Sequence, residues 1–229
     1  MISKPRNNIK FLILTVLLVV AILGIFSLTR NDLSESIADP VVVTEGSKSE
    51  ILKVTEADNI RGEKNSPVTI IVYSDYQCPY CITYDRTLAQ VVAAYPGKVR
   101  LAYRHFPLPF HKAAKGAAIA AEAAGLQGKY WEFHDKLVEN SQPDGGGLAE
   151  KDLSEYAGEI GLNVDKFKAD LKNNSLVKKV ELQTKAGNSL GIRGTPSSYL
   201  INKNGEIEDL DGALSLEDLK TTIESALSK

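Results

Sequence analysis

The sequence predicts an α/β domain in which a strand–helix–strand unit is parted from a terminal hairpin and helix by a long helical block. A membrane-spanning helix precedes it. Three observations carry this reading. The β-branched run Val68–Tyr73 gives way, across Cys78-Pro-Tyr-Cys81, to a helical pattern and then to an alternating run at Val99–Phe106. From about His111 to Gly191 helical patterns follow one another, broken by glycine-bearing turns. Strand signals return at Ser197–Ile201, while Phe11–Thr29 is an uncharged, mostly apolar run of 19 residues.

That run sets the first boundary. Residues 1–10 carry Lys4, Arg6 and Lys10 and no acid. A spanning helix needs about 20 predominantly apolar residues, whereas the core of a cleaved signal peptide has about 7–15. Phe26-Ser-Leu-Thr-Arg30 offers no small-residue cleavage site. The segment 11–29 is therefore expected to be an uncleaved, single-pass anchor in the cell membrane. Its basic flank predicts a cytoplasmic N-terminus, 1–10, and an extracytoplasmic remainder, where disulfides persist. Residues 30–57 read as a linker, polar and acidic over 31–50, and interrupted by a Pro40–Val43 patch that is either a short strand or a docking stub. The domain is expected over 58–229.

Composition excludes several classes. At 229 residues the chain has room for a membrane segment, a linker and one domain. A hydrophobic content of 43% rules out disorder throughout, and a net charge of −2 gives no field that recruits nucleic acid. Two cysteines make neither a multi-disulfide scaffold nor a four-cysteine zinc site. His105, His111 and His134 are scattered, so the one metal reading left joins both cysteines to distant histidines. A C-x-x-C at a strand–helix junction reads first as a redox pair. No metal and no cofactor are expected.

The elements follow in order. Val68–Tyr73 reads as a buried strand. Pro79 suits the first helical position, where its missing N–H costs nothing. Cys78 then sits at a helix N-terminus, whose unpaired N–H groups and dipole favour a thiolate and make Cys78 the nucleophile. Cys81 falls one turn further in on the same side, with the Cα atoms within the roughly 4.4–6.8 Å that a disulfide needs. Ile82, Leu88, Val91 and Val92 give the helix its apolar face, and Tyr95-Pro-Gly97 stops it. The strand at Val99–Phe106 completes a βαβ unit and so implies a parallel pair. Pro107–Phe110 is an extended connector. Helices are expected at His111–Ala124, Tyr130–Val138, Asp152–Ile160, Val164–Leu171 and Leu176–Leu190, with Gly161 and Gly191 as C-terminal caps and Asp144–Gly147 as a loop. Tyr130, Trp131 and Phe133 read as core of this block. Asn204-Gly205 turns a hairpin between Ser197–Ile201 and Glu206–Leu210, and Ser215–Asp218 is a capping box opening a helix over Leu216–Leu227.

Four stretches in this order, Ser74-Asp-Tyr-Gln-Cys-Pro-Tyr-Cys81, Arg104-His-Phe-Pro-Leu-Pro109, Tyr130-Trp-Glu-Phe-His134 and Gly191-Ile-Arg-Gly-Thr-Pro-Ser197, resemble the DsbA-like thiol–disulfide oxidoreductases. Within them the sequence is most similar to the membrane-anchored group that includes BdbD-like proteins. The resemblance covers about residues 58–229. It implies a thioredoxin fold with a helical insertion at about 110–190, and it matches Thr195-Pro196 to the cis-proline loop that faces Cys78 and Cys81. The Thr195 backbone would then offer a bound peptide a strand-like partner. One departure stands out. Thioredoxin and DsbA place a buried acid six positions before the first cysteine, where this chain has Val72. The nearest acid is Asp75, which reads either as a proton acceptor or electrostatic tuner, or as a turn residue capping the next helix. Tyr80, between the cysteines, is the candidate for shaping reactivity; His105 and His111 are candidate tuners, although connector histidines are more often packed or solvated.

The function expected is oxidation of thiols in exported proteins by a monomeric enzyme. A substrate thiolate attacks Cys78, and a second displaces it from the mixed disulfide. By resemblance, a quinone-linked membrane protein of the DsbB type would reoxidise the pair. The alternatives are a disulfide reductase or isomerase, since Cys-Pro-Tyr-Cys also occurs in glutaredoxins and a threonine before the cis-proline in isomerases, and a non-catalytic membrane-tethered chaperone or scaffold.

Overall fold

The computed structural model describes residues 45–229. Along the chain these form α1 (Glu45–Ile51), β1 (Asn59–Arg61), β2 (Val68–Ser74), α2 (Pro79–Ala94), β3 (Val99–His105), α3 (Ala114–Gly125), α4 (Tyr130–Asn140), α5 (Glu150–Glu159), α6 (Val164–Asp170), α7 (Asn174–Ser189), β4 (Ser197–Ile201), β5 (Ile207–Leu210) and α8 (Leu216–Ser228). The expected cytoplasmic segment, the anchor at 11–29 and the Pro40–Val43 patch lie outside the described residues. Among the described residues no helix is long and apolar enough to cross a membrane.

One mixed sheet of order β1-β3-β2-β4-β5 organises the domain. The expected parallel pair is β2 with β3, with Ile70 beside Leu101 and Val72 beside Tyr103. The other three pairings are antiparallel. Every residue of β2 is buried, and strand alternation explains why its apolar run is unbroken. Val68, Ile70 and Val72 enter a core with α2, α3, α4 and α8, while Ile71 and Tyr73 point to the opposite face, against Ala102, Phe106 and Tyr199. A central strand covered on both faces has no polar side to show.

The helical block lies between β3 and β4 in sequence, as expected. Alanines are dense in α3 because α4, α5, α6 and α7 all pack against it: Ala117, Ala120, Ala121 and Ala124 are fully buried. On the second face α7 approaches the sheet at Gly187, where a Cβ would stand 2.6 Å from the Phe106 ring and 3.1 Å from Tyr73. Gly161 and Gly191 take positive φ beyond the ends of α5 and α7, as their capping role predicts.

Two differences concern the approach to the domain. Residues 45–57, expected to be linker, carry α1 and pack into the domain. Leu52 is fully buried in the second core, and the carbonyls of Ile51 and Lys53 accept hydrogen bonds from Arg104, whose Nε also reaches Asp58 at 2.7 Å. The backbone that follows α1 thus caps a buried guanidinium. The edge strand β1, for which the sequence gives no strand signal, pairs with β3 and supplies the Ile60 carbonyl that accepts from Trp131 Nε1. At three residues it is too short for a periodic signal.

Candidate active site

The site forms where β2 ends and α2 begins. Ser74 closes the strand, and the next three residues make a turn that presents Cys78 as the N-cap of α2, with Pro79 at its first position. Each turn residue is lashed to the surroundings. Asp75 Oδ1 accepts from the Gln77 N–H at 2.7 Å. Its Oδ2 accepts from the Leu108 N–H at 2.7 Å and pairs with His111 Nδ1 at 2.8 Å. The Tyr76 hydroxyl pairs with His134 Nδ1 at 2.8 Å. Gln77 donates to the Pro143 carbonyl and accepts from the Ala113 N–H. The helical insertion therefore holds the dithiol turn through side chains two, three and one positions ahead of Cys78.

Both cysteines are free thiols, Cys78 4% exposed and Cys81 fully buried. The Cys78 thiol pKa is lowered to about 5. The Cys81 thiol, donating to it, is the main cause, and burial opposes the shift. The backbone N–H groups of Cys81 and Tyr80 and the Thr195 hydroxyl add to the lowering. The helix N-terminus thus contributes as expected but ranks behind the partner thiol. Cys81 is shifted strongly upward, by burial first and then by the neighbouring Cys78.

The Thr195–Pro196 peptide is cis, as the resemblance implied. The Thr195 carbonyl lies 3.4 Å from Cys78 Sγ and accepts from the thiol. The Thr195 hydroxyl is buried, without a hydrogen-bond partner among the described residues, and lowers the pKa of both cysteines. Beside it a cleft of about 420 Å³ is lined by Tyr80, Gly194, Thr195, Pro196, Ser197 and Gly212. Tyr80 is 71% exposed and forms a wall of that cleft rather than packing on the sulfurs.

Of the two readings of Asp75, the geometry favours the turn residue but corrects its capping role. Its carboxylate is filled by Gln77, Leu108 and His111, none of them in α2, and the N-cap of α2 is Cys78 itself. His111 reaches the site region through this contact. His105 does not; it is buried against Glu122 at 3.1 Å. Tyr130 and Phe133 are core, as expected, while Trp131 is partly buried under Arg61. Among the described residues no group of three histidine, cysteine or carboxylate side chains could hold a metal ion.

Asp85 is the residue that sequence reasoning missed. It lies on the buried face of α2 with Cys81, Tyr84, Leu88 and Val92. Its Oδ2 has no hydrogen-bond partner among the described residues. Burial pushes its pKa up to about 8; Arg61 opposes that shift, and Asp135 and Cys78 add to it. The signal was available in the spacing, since an acid four positions after Cys81 and three before Leu88 falls on the apolar stripe.

Comparison with known proteins agrees with this geometry. Residues 54–225 match the family described as Thioredoxin. A thioredoxin-like oxidoreductase from Silicibacter pomeroyi is similar at 25% identity with a TM-score of 0.67, over 81% of this chain and 99% of that one. Pseudomonas aeruginosa DsbA2 is similar at 27% identity with a TM-score of 0.64, over 77% of this chain and 96% of that one. The Na(+)/H(+) antiporter NhaA 3 of Salinispora tropica is 32% identical over 174 residues, which are 76% of this chain and 25% of the antiporter. The chain thus spans about a quarter of the length of the curated relatives it matches. It belongs to the thioredoxin family, and DsbA-like thiol–disulfide oxidoreductases are its structural neighbours.

Proposed function

We propose that this member of the thioredoxin family is a thiol–disulfide oxidoreductase that introduces disulfides into exported proteins through Cys78 and Cys81. The observation that carries the reading is the asymmetry of the pair. Cys78 is at the helix N-terminus beside the cis-proline loop, with its pKa lowered to about 5, while Cys81 is buried with its pKa raised. In the oxidised enzyme a substrate thiolate attacks Cys78 Sγ, the Cys78–Cys81 bond breaks, and Cys81 leaves. A second substrate thiolate then attacks the substrate sulfur of the mixed disulfide and expels Cys78 as a thiolate. The substrate is oxidised by two electrons and the enzyme reduced by two. An extended peptide would lie in the cleft walled by Tyr80 and Thr195.

A stabilised leaving thiolate makes the reduced form favourable, which is the property of an oxidant. Each unit by which the Cys78 pKa is lowered is worth about 1.4 kcal/mol, or about 30 mV for a two-electron couple. Reoxidation requires a membrane partner of the DsbB type. The apolar run Phe11–Thr29 supports an anchor that would keep the domain, as a monomer, at the outer face of the membrane; intact-mass analysis showing a mature chain that begins beyond residue 25 would remove that part.

Equilibrating the pair with a glutathione buffer tests the main reading. The expected potential lies well above thioredoxin's value of about −270 mV, towards DsbA's of about −120 mV. A potential near −270 mV would favour the reductase reading instead.

A further inference from the structure

The mechanism above leaves one proton without a destination. When Cys81 leaves as a thiolate inside the protein it must be protonated there, and when it attacks the Cys78 mixed disulfide it must lose that proton. Cys81 is fully buried, and Asp75, the acid nearest in sequence before the pair, already accepts from three donors.

Asp85 has the placement this task needs. It follows Cys81 by one helical turn on the same buried face of α2, and its negative charge acts on the Cys81 thiol. A buried carboxyl oxygen with no partner is costly if charged and tolerable if protonated; Asp85 Oδ2 is such an atom. The Ser74 hydroxyl, at the end of β2, reaches it and favours its charged form. The same hydroxyl reaches Tyr103 of β3, whose own pKa the Asp85 charge raises, and neither hydroxyl is held by another partner among the described residues. Arg61 of β1 favours the charged form, while Asp135 of α4, which pairs with Arg61, and Cys78 oppose it. The phenols of Tyr76, Tyr84 and Tyr130 also feel the Asp85 charge, and none of them supplies a cation.

We infer that Asp85 is the proton acceptor and donor for Cys81, with the Ser74 hydroxyl steadying its charged form. When substrate reduces the enzyme, the Cys78–Cys81 bond breaks, the Cys81 sulfur takes the electron pair, and the proton on Asp85 moves to it. In the reverse sense the Asp85 carboxylate takes the Cys81 proton as that sulfur attacks Cys78 Sγ and expels the attached thiolate. A carboxyl with a pKa of about 8 holds its proton near neutral pH yet can release it.

This inference rests on the proposed redox role of the pair but does not require the oxidant direction. The test is stopped-flow reaction of the reduced protein with an aromatic disulfide that releases a coloured thiolate. The first release reports Cys78 attacking the reagent, and the second reports Cys81 attacking the mixed disulfide. In Asp85→Asn the second release should slow at least about tenfold at pH 7, while the first changes less than about twofold. The bend near pH 8 in the wild-type second-phase profile should disappear. A second phase unchanged in rate and pH profile overturns the inference. If that variant does not fold, Ser74→Ala decides: the bend should move to higher pH, and an unmoved bend overturns the inference. A reducing potential would overturn the oxidase reading and leave this comparison of phases intact.

Discussion

Two buried aspartates flank the dithiol, and their surroundings could hardly differ more. Asp75, three positions before Cys78, has both oxygens occupied by the Gln77 and Leu108 N–H groups and by His111. Asp85, four positions after Cys81, is also buried, and its Oδ2 has no hydrogen-bond partner among the described residues. The same pattern extends to their neighbours. On the Asp75 side, Tyr76 and Gln77 are tied to the helical insertion. Elsewhere around the pair, the hydroxyls of Ser74, Tyr103 and Thr195 have no hydrogen-bond partner among the described residues. A carboxylate fixed by donors holds a turn in shape, whereas a carboxyl left without them keeps its proton and can exchange it. The dithiol sits between a fixed side and a titratable side.

The largest expected effect that can break this contrast is on stability against pH, measured on the disulfide form, where neither thiol titrates. Asp85 has a folded pKa raised to about 8, against about 3.9 unfolded. Between these values the folded state binds more protons than the unfolded state. The contribution is therefore fully present below about pH 4 and is lost as pH rises through 8, at up to about 1.4 kcal/mol per unit. Urea unfolding of Asp85→Asn should lack that decline, so that the variant gains on the wild type by a few kcal/mol between pH 5 and 8. Parallel curves would overturn the assignment of a raised pKa to Asp85. In the dithiol form the Cys78 contribution runs the other way. Its folded pKa of about 5 lies below its unfolded value, so that stability is present above about pH 8.5 and is lost as pH falls through 5. Reduction should flatten the wild-type curve.

Asp75→Ala tests the fixed side and should cost about 2–4 kcal/mol at pH 7, because two buried N–H groups lose their acceptor at about 1–3 kcal/mol each. The expected signature is a lower urea midpoint. A loss below about 1 kcal/mol would show that water replaces the carboxylate there, and the side would not be fixed in the sense argued.

The contrast also explains what could be read in advance. The strand and the parallel pairing follow from a β-branched run and the strand–helix–strand order, signals within a few residues, while the cis peptide at Thr195-Pro196 was implied by the resemblance to the DsbA-like family. Asp75 was visible but ambiguous, because its occupancy depends on Leu108 and His111, more than thirty positions away. Residues 45–57 looked like a tether because their partner, Arg104, is equally distant. Asp85 was legible by helical spacing from Cys81, yet an acid on an apolar stripe is easily assigned to the solvent side when only Ile82, Leu88, Val91 and Val92 are followed. Polar contacts over long separations leave no period in a sequence, whereas apolar faces do.

A smaller change is expected at Thr195, whose hydroxyl also has no hydrogen-bond partner among the described residues. The hydroxyl lowers the pKa of both cysteines, while the carbonyl that accepts from Cys78 belongs to the backbone and survives substitution. Thr195→Val keeps the β-branched shape and removes only the hydroxyl. The Cys78 pKa, followed by thiolate absorbance against pH, should rise by up to about one unit, since a charge-assisted hydrogen bond is lost while the Cys81 thiol and the helix N–H groups remain. The disulfide should become correspondingly less oxidising, by up to about 30 mV. In the stopped-flow assay the slower step should be the first release at pH values below the new pKa, where less thiolate is present, and the second-phase bend set by Asp85 should stay where it is. A Thr195→Val protein with an unchanged Cys78 pKa would assign the loop's influence wholly to its backbone, and the unpartnered hydroxyls at the site would then tune Asp85 alone.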